Sequence, residues 1–223
     1  MPLITPDFHN GPADARWSDV KVGSRLVRIG KSIFPGNGYN PKPVVPNSAT
    51  SRGRFSSTAR DTFGALYVAE HVADERVAIL EMLEHRTLDH NPNGGLFYCK
   101  PELVEDLSFF YLKVKLHMRL VTLTAAPDAL GLGANEETIY SDNYRVTREW
   151  ARYIRKKVPD AKGIEYSPKR YRDTRAGVAM ALFEDRLPKD SLELVGAPIP
   201  LVSDAGREIF LACRPFTRVL PAW

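Results

Sequence analysis

Cysteine is scarce in this 223-residue chain, which holds only Cys99 and Cys213 and no Cys-x-x-Cys pair. That excludes a disulfide scaffold and a thiolate metal knot. Histidine numbers five, and the spacing offers no metal-ligand set: His85 and His90 run from a helix end into a turn, while His71 and His117 stand isolated. No apolar run approaches the roughly 20 residues that span a bilayer. The opening residues lack the basic start and long apolar core of a secretory signal. The cytoplasm is therefore the expected place of action, with export by machinery that reads no such signal left open. There is no Gly-x-Gly-x-x-Gly opening a helix after a strand and no Gly-Lys-Ser/Thr phosphate loop, so the two common nucleotide-cradling turns are missing. A Gly-x-Ser-x-Gly nucleophile elbow is absent too.

What remains is a chain rich in turns. Apolar residues make up 43%, enough for one sizeable core, and 17 prolines and 15 glycines argue for many short elements rather than a helical bundle. A formal charge of +4 suits a phosphate-bearing ligand or an acidic partner. It does not point to nucleic acid, because 31 bases are interspersed with 27 acids and no long basic run occurs.

Along the chain, residues 1–24 read as an irregular lead-in anchored by Trp17, and residues 25–223 as a single domain. Arg25 to Ile29 reads as a short strand. Residues 34–53 read as a long loop, a form that is often functional. Leu66 to Ala69 reads as a buried strand, and Val72 to His85 as a helix with one apolar face. Phe109 to Thr124 reads as one long strand, with helix as the alternative. Thr147 to Lys157 is helical, with Thr147 as N-cap and Trp150, Tyr153 and Ile154 as its apolar stripe. Gly163 to Tyr166 and Ala179 to Phe183 read as the last core strands, followed by an irregular or short-stranded tail. The pattern is α+β. Strands and helices do not alternate strictly, which argues against a doubly wound sheet.

Three side chains stand out. Arg54 lies in a tight Gly53-Arg54-Phe55 turn, where its fork can grip a pyrophosphate bidentately; alternatively it is one loop arginine among Arg52 and Arg60. Tyr67 sits in an apolar strand and either stacks on a flat ring or fills the core. Glu81 interrupts the apolar run Val77-Ala78-Ile79-Leu80. A carboxylate on that face would be desolvated and able to stabilise the cation that forms as a glycosidic bond breaks. Helical phase also allows it on the solvent side, and Glu84 shares its face. Lys169, Arg170 and Arg172 form a basic cluster around Tyr171 that is either a solvated face or part of a nucleotide cleft.

These segments resemble the RES family of NAD-degrading toxins. The resemblance rests on Arg28-Ile29, Gly53-Arg54-Phe55, Tyr67-Val68-Ala69, Ala78-Ile79-Leu80-Glu81 and Gly163-Ile164-Glu165-Tyr166-Ser167, in that order, with the apolar strand Val178 to Phe183 after them. It spans roughly residues 25–186. Ser167 directly follows Tyr166, where the family often places one residue between. The resemblance implies an ADP-ribosyltransferase-like fold, a mixed sheet with surrounding helices and long loops. It implies NAD as substrate rather than cofactor, cleaved at the nicotinamide–ribose bond by water or inorganic phosphate. It also implies a cognate antitoxin or immunity protein.

On that footing Glu81 would stabilise the ribosyl cation, Arg54 would hold the phosphates, Tyr67 would pack on the nucleotide and Ser167 would bond the nicotinamide ribose or amide. Arg28, Lys169 and Arg170 would add positive charge to the cleft, where an acidic partner segment could also sit. Two other readings stay open: transfer of ADP-ribose to a macromolecule, and a basic interaction domain without catalysis.

Overall fold

The computed structural model describes residues 4–7, 15–39, 53–58, 60–70, 75–79, 81, 97–124, 132–140, 144–168, 177–217 and 219–221. Ten strands are present among them: β1 (Trp17–Val20), β2 (Arg25–Lys31), β3 (Ala65–Glu70), β4 (Phe97–Cys99), β5 (Leu107–Val114), β6 (Met118–Leu123), β7 (Gly163–Tyr166), β8 (Ala179–Phe183), β9 (Leu192–Pro200) and β10 (Val219–Pro221). The helices are α1 (Glu136–Ile139), α2 (Tyr144–Lys157) and α3 (Asp204–Thr217). Residues 76–79 and 81 are also helical. Eight strands form one sheet in the order β1-β6-β7-β8-β3-β2-β5-β9, and β4 pairs with β10 alongside. Within the large sheet only β6 and β7 run parallel. The expected α+β fold is thus the fold observed.

The central strands are apolar on both faces because both faces are covered. The five residues Ala179–Phe183 of β8 are all buried. Alternation sends Val27, Ile29, Ala65, Ala69, Val121, Ile164, Tyr166 and Ala181 into one apolar layer. Leu26, Leu66, Val68, Leu112, Leu120, Met180 and Leu182 enter another. Helix α2 closes the first layer with Trp150, Ala151, Tyr153 and Ile154. Full burial of one side chain of this size contributes about 1.5–3 kcal/mol, so this single stripe fixes where the helix lies. The N-terminal end of the chain is tied to it: Trp150 Nε1 donates to the Ile4 carbonyl at 2.8 Å.

Several elements differ from the sequence reading. The lead-in contributes an edge strand, β1, paired with β6. The stretch read as one strand over 109–124 is two, β5 and β6, broken at Lys115-Leu116-His117, because each pairs with different neighbours in the sheet. Helix α2 starts three residues before Thr147, so Thr147 is not its N-cap. The tail is not irregular: it holds the nine-residue β9 and the fourteen-residue α3. Ser203 Oγ accepts from the Gly206 amide at 3.2 Å, supplying the N-terminal cap of α3.

An ionic knot around the buried Arg155 ties α2 to the turns beside β3 and β8. Arg155, 7% exposed, donates from Nε to Asp61 at 2.8 Å and from Nη2 to Asp185 at 2.9 Å. Its guanidinium lies over the Phe63 ring, 4.0 Å from the centroid. The bond from Arg155 holds the Asp185 carboxyl below its ordinary 3.8. A depressed carboxyl contributes stability that is present above its unfolded value and lost as pH falls through the folded one. Asp185→Asn is therefore expected to lower the melting temperature at pH 7, with the gap from the parent protein narrowing as pH falls below 3.8. A gap that stays constant over that range, read by calorimetry, would contradict this.

Candidate functional site

The site is built on a short turn held from three directions. Gly53 carries the closest backbone approach in it: a Cβ there would lie 2.3 Å from Tyr67 Oη, so a larger residue would clash with the β3 tyrosine. The Phe55 amide donates to that same Oη at 2.8 Å. From α2, Thr147 Oγ1 donates to the Arg54 carbonyl at 2.6 Å and Arg148 Nε donates to the Gly53 carbonyl at 3.1 Å. Ser56 Oγ donates to the Gly53 carbonyl at 2.7 Å. Strand and helix supply three bonds to three residues of the turn, and Ser56 adds a fourth within it, which leaves the Arg54 side chain little freedom.

That side chain is 2% exposed. Its guanidinium lies 5.4 Å from the Tyr166 ring centroid, and Nη1 lies 4.0 Å from Glu81 Oε1. Tyr166 Oη donates to the other Glu81 oxygen at 3.2 Å. Phe55 tilts against the Tyr166 ring at 4.8 Å. Glu81 therefore turns toward the sheet, and its side chain keeps 15% exposure, the open edge of an otherwise buried cluster. Burial first, and then the charge of Glu81, push the Tyr166 phenol well above its ordinary value. Burial likewise pushes the Tyr67 phenol up. Both rings thus stay neutral at pH 7, and Tyr166 remains a hydrogen-bond donor to the carboxylate.

The residues expected at the site do not all converge. Arg54, Tyr67 and Glu81 gather around Tyr166. Ser167 is fully buried just beyond β7, and its hydroxyl donates to the Thr124 carbonyl at 3.1 Å. This bond ties the ends of β6 and β7. Arg28 is not brought to the cluster. It shares the Leu26 side of β2, opposite Val27 and Ile29, and donates to the carbonyls of Gly36 (3.0 Å) and Gly38. Burial lowers its guanidinium to about 10, which leaves it charged at pH 7. Lys169 and Arg170 lie outside the described residues. Three contributors were missed as site residues: Tyr166, Thr147 and Arg148. Only Tyr166 had a local signal, since alternation places it on the same buried face as Ile164.

Chemically, the cluster is a carboxylate held beside a desolvated guanidinium and oriented by a neutral phenol. Out of water such a charge pair interacts far more strongly than on a surface. It supplies a fixed negative charge at one accessible edge, suited to a cation that forms transiently next to it.

The class this defines is an α+β domain whose one sheet face carries a buried Arg–Glu–Tyr cluster under a helix. Residues 25–204 match the model of the RES domain, most of the chain. The chain belongs to the RES domain family. Its fold is similar to that of a chain in the crystal structure of the M. tuberculosis MbcT-MbcA toxin-antitoxin complex, with a TM-score of 0.53 and 13% identity. That similarity covers 80% of this chain and 84% of the other. No curated protein matches the sequence.

Arg28→Ala separates scaffold from site. It should lower stability by about 1.5–3 kcal/mol per charged hydrogen bond lost, read by chemical denaturation, and leave ligand binding at the Arg54 cluster unchanged. A loss of binding in well-folded Arg28→Ala protein would return Arg28 to the site.

Proposed function

We propose that this protein is a toxin that consumes NAD by breaking the bond between nicotinamide and ribose, with water or inorganic phosphate as acceptor. The observation that carries the reading is the partly open Glu81 carboxylate fixed by Arg54 and Tyr166 in a chain of the RES domain family. The nicotinamide of NAD leaves as a neutral base: the bonding electron pair moves onto its ring nitrogen and cancels the positive charge there. The ribosyl carbon left behind carries oxocarbenium character. Glu81 faces that charge, and its negative charge is worth most at that moment. Water or phosphate then adds at the same carbon, and a proton is released to solvent when water is the acceptor.

Arg54 takes a role shaped by its burial. A guanidinium with 2% exposure acts through Glu81, holding the carboxylate in place. Tyr67 sets the position of the Gly53–Phe55 backbone through its hydroxyl and offers its ring to the nucleotide. NAD is a cytoplasmic metabolite, so the producing cell must silence such an enzyme. A cognate antitoxin is the expected partner, a reading supported by the fold's likeness to a chain from a toxin-antitoxin complex.

Glu81→Gln should reduce kcat on the order of 10²-fold, the scale of one electrostatic contact in a transition state, while leaving NAD affinity within about threefold. Tyr166→Phe should cost less, about tenfold, because orientation is lost but charge is kept. Measured turnover and calorimetric affinity together decide it. If Glu81→Gln turns NAD over as fast as the parent protein, Glu81 is not the stabilising group.

A further inference from the structure

The helical segment that carries Glu81 is tied to the sheet at both ends. Glu75 opens it: the Glu75 carbonyl accepts from the Ile79 amide at 2.9 Å. The Glu75 side chain is held from below, where Oε1 accepts from Tyr111 Oη of β5 at 2.7 Å. At the far end Glu81 accepts from Tyr166 Oη of β7 at 3.2 Å. Both bonds run from a strand phenol to a carboxylate. Both tyrosines stand on the same face of the sheet, with the apolar layer that holds Val27 and Ile164. Burial first, and then its bond to Glu75, push the Tyr111 phenol above its ordinary value, so it stays a neutral donor at pH 7.

In the sheet order β7-β8-β3-β2-β5, four strand spacings separate the two tyrosines, about 19 Å along the sheet. The helical rise from Glu75 to Glu81 covers about 9 Å, and the tyrosine and glutamate side chains reach across the rest. The segment therefore crosses the central strands, hung from a phenol at each end. Between the ends, Val77, Ala78 and Ile79 are buried in the same apolar layer. Apolar contact is non-directional. It decides which side of the segment faces the sheet, and it leaves the position along the axis to the directional bonds. That position matters at Glu81. Arg54 Nη1 stands 4.0 Å from Glu81 Oε1, at the outer limit of an ion pair, so a slide away from Arg54 breaks the pair.

We propose that Tyr111 and Glu75 are positioning residues for Glu81: their bond fixes the far end of the segment and so holds the Glu81 carboxylate at its distance from Arg54 and Tyr166. They act through Glu81, about 9 Å further along the helical rise. The kinetic consequence rests on the NAD-cleaving reading, whereas the structural coupling does not, so the two can fail separately. Tyr111 and Glu75 are both partly exposed. Water can therefore take the place of the lost partner, and variants at either position should fold.

Tyr111→Phe should lower kcat about tenfold and leave NAD affinity within about threefold, because a small misplacement set from a remote site is felt mainly in turnover. Glu75→Gln keeps an acceptor for the phenol and should lose less than Glu75→Ala. In the Glu81→Gln background Tyr111→Phe should cost nothing more, since its effect passes through Glu81. A further loss of about tenfold there, or a lower melting temperature with kcat unchanged, would overturn the proposal. A second readout needs no turnover. In NMR spectra of protein labelled at tyrosine Cζ, the Tyr166 signal is identified by its loss in Tyr166→Phe. It should move in Tyr111→Phe in the same direction as in Glu81→Gln. A Tyr166 signal that stays in place in Tyr111→Phe would overturn the positioning role even if NAD is cleaved. A signal that moves in a protein that leaves NAD intact would support the role and contradict only the proposed function.

Discussion

Taking a carboxylate and a guanidinium out of water is costly unless each finds the other and a hydrogen-bonding frame. Much of this structure is arranged around that requirement at Glu81 and Arg54. The guanidinium is placed by its backbone, and the backbone is placed by Tyr67 on β3 and by Thr147 and Arg148 on α2. Tyr166 on β7 supplies a neutral donor to the carboxylate. Three further elements, β3, α2 and β7, therefore converge on one pair of charges. Helix α2 can serve this purpose only because its apolar stripe and the Arg155 knot hold it rigidly against the sheet. A function that needs a fixed negative charge in a poorly solvated place follows from that convergence rather than from any one residue.

Much of the fold was legible in the sequence where a single segment carried its own pattern. The apolar runs of β3 and β8 and the alternation in β2 and β7 read as strands because burial and β-propensity agreed there. β1 was missed because Trp17-Ser18-Asp19-Val20 is a four-residue edge strand with polar residues at its centre, which alternation cannot separate from loop. Helix α3 was missed because Pro200 and Pro215 flag irregular backbone. Ser203 caps its start, Ile209, Phe210 and Cys213 are the apolar residues of its core-facing side, and Pro215 falls only near its end.

The site divides along the same line. Arg54 beside a glycine and Glu81 inside an apolar run each break a local pattern, so each could be singled out. Arg28 looked equivalent as a cation in a strand, but a one-residue step in β2 sends it to the other face, and nothing local distinguishes the two. Ser167 was placed by resemblance alone, and its hydroxyl bonds a neighbouring strand's carbonyl. Tyr166, Thr147 and Arg148 act through contacts 85 to 95 residues away in sequence. Only the folded sheet brings those partners together.

The first turns of helix α2 fix the Arg54 loop and its last turns carry the Arg155 knot, so a change in the seat of this helix would reach both. The central claim concerns the Arg54–Glu81 cluster, and product identification tests it most directly. Purified protein is incubated with NAD, with and without inorganic phosphate, and the products are followed by NMR and mass spectrometry. The account predicts free nicotinamide released in step with NAD loss, together with a small ADP-ribose product, phosphorylated at the anomeric carbon if phosphate is the acceptor. NAD left intact by well-folded protein, or ADP-ribose found attached to a macromolecule, would contradict it.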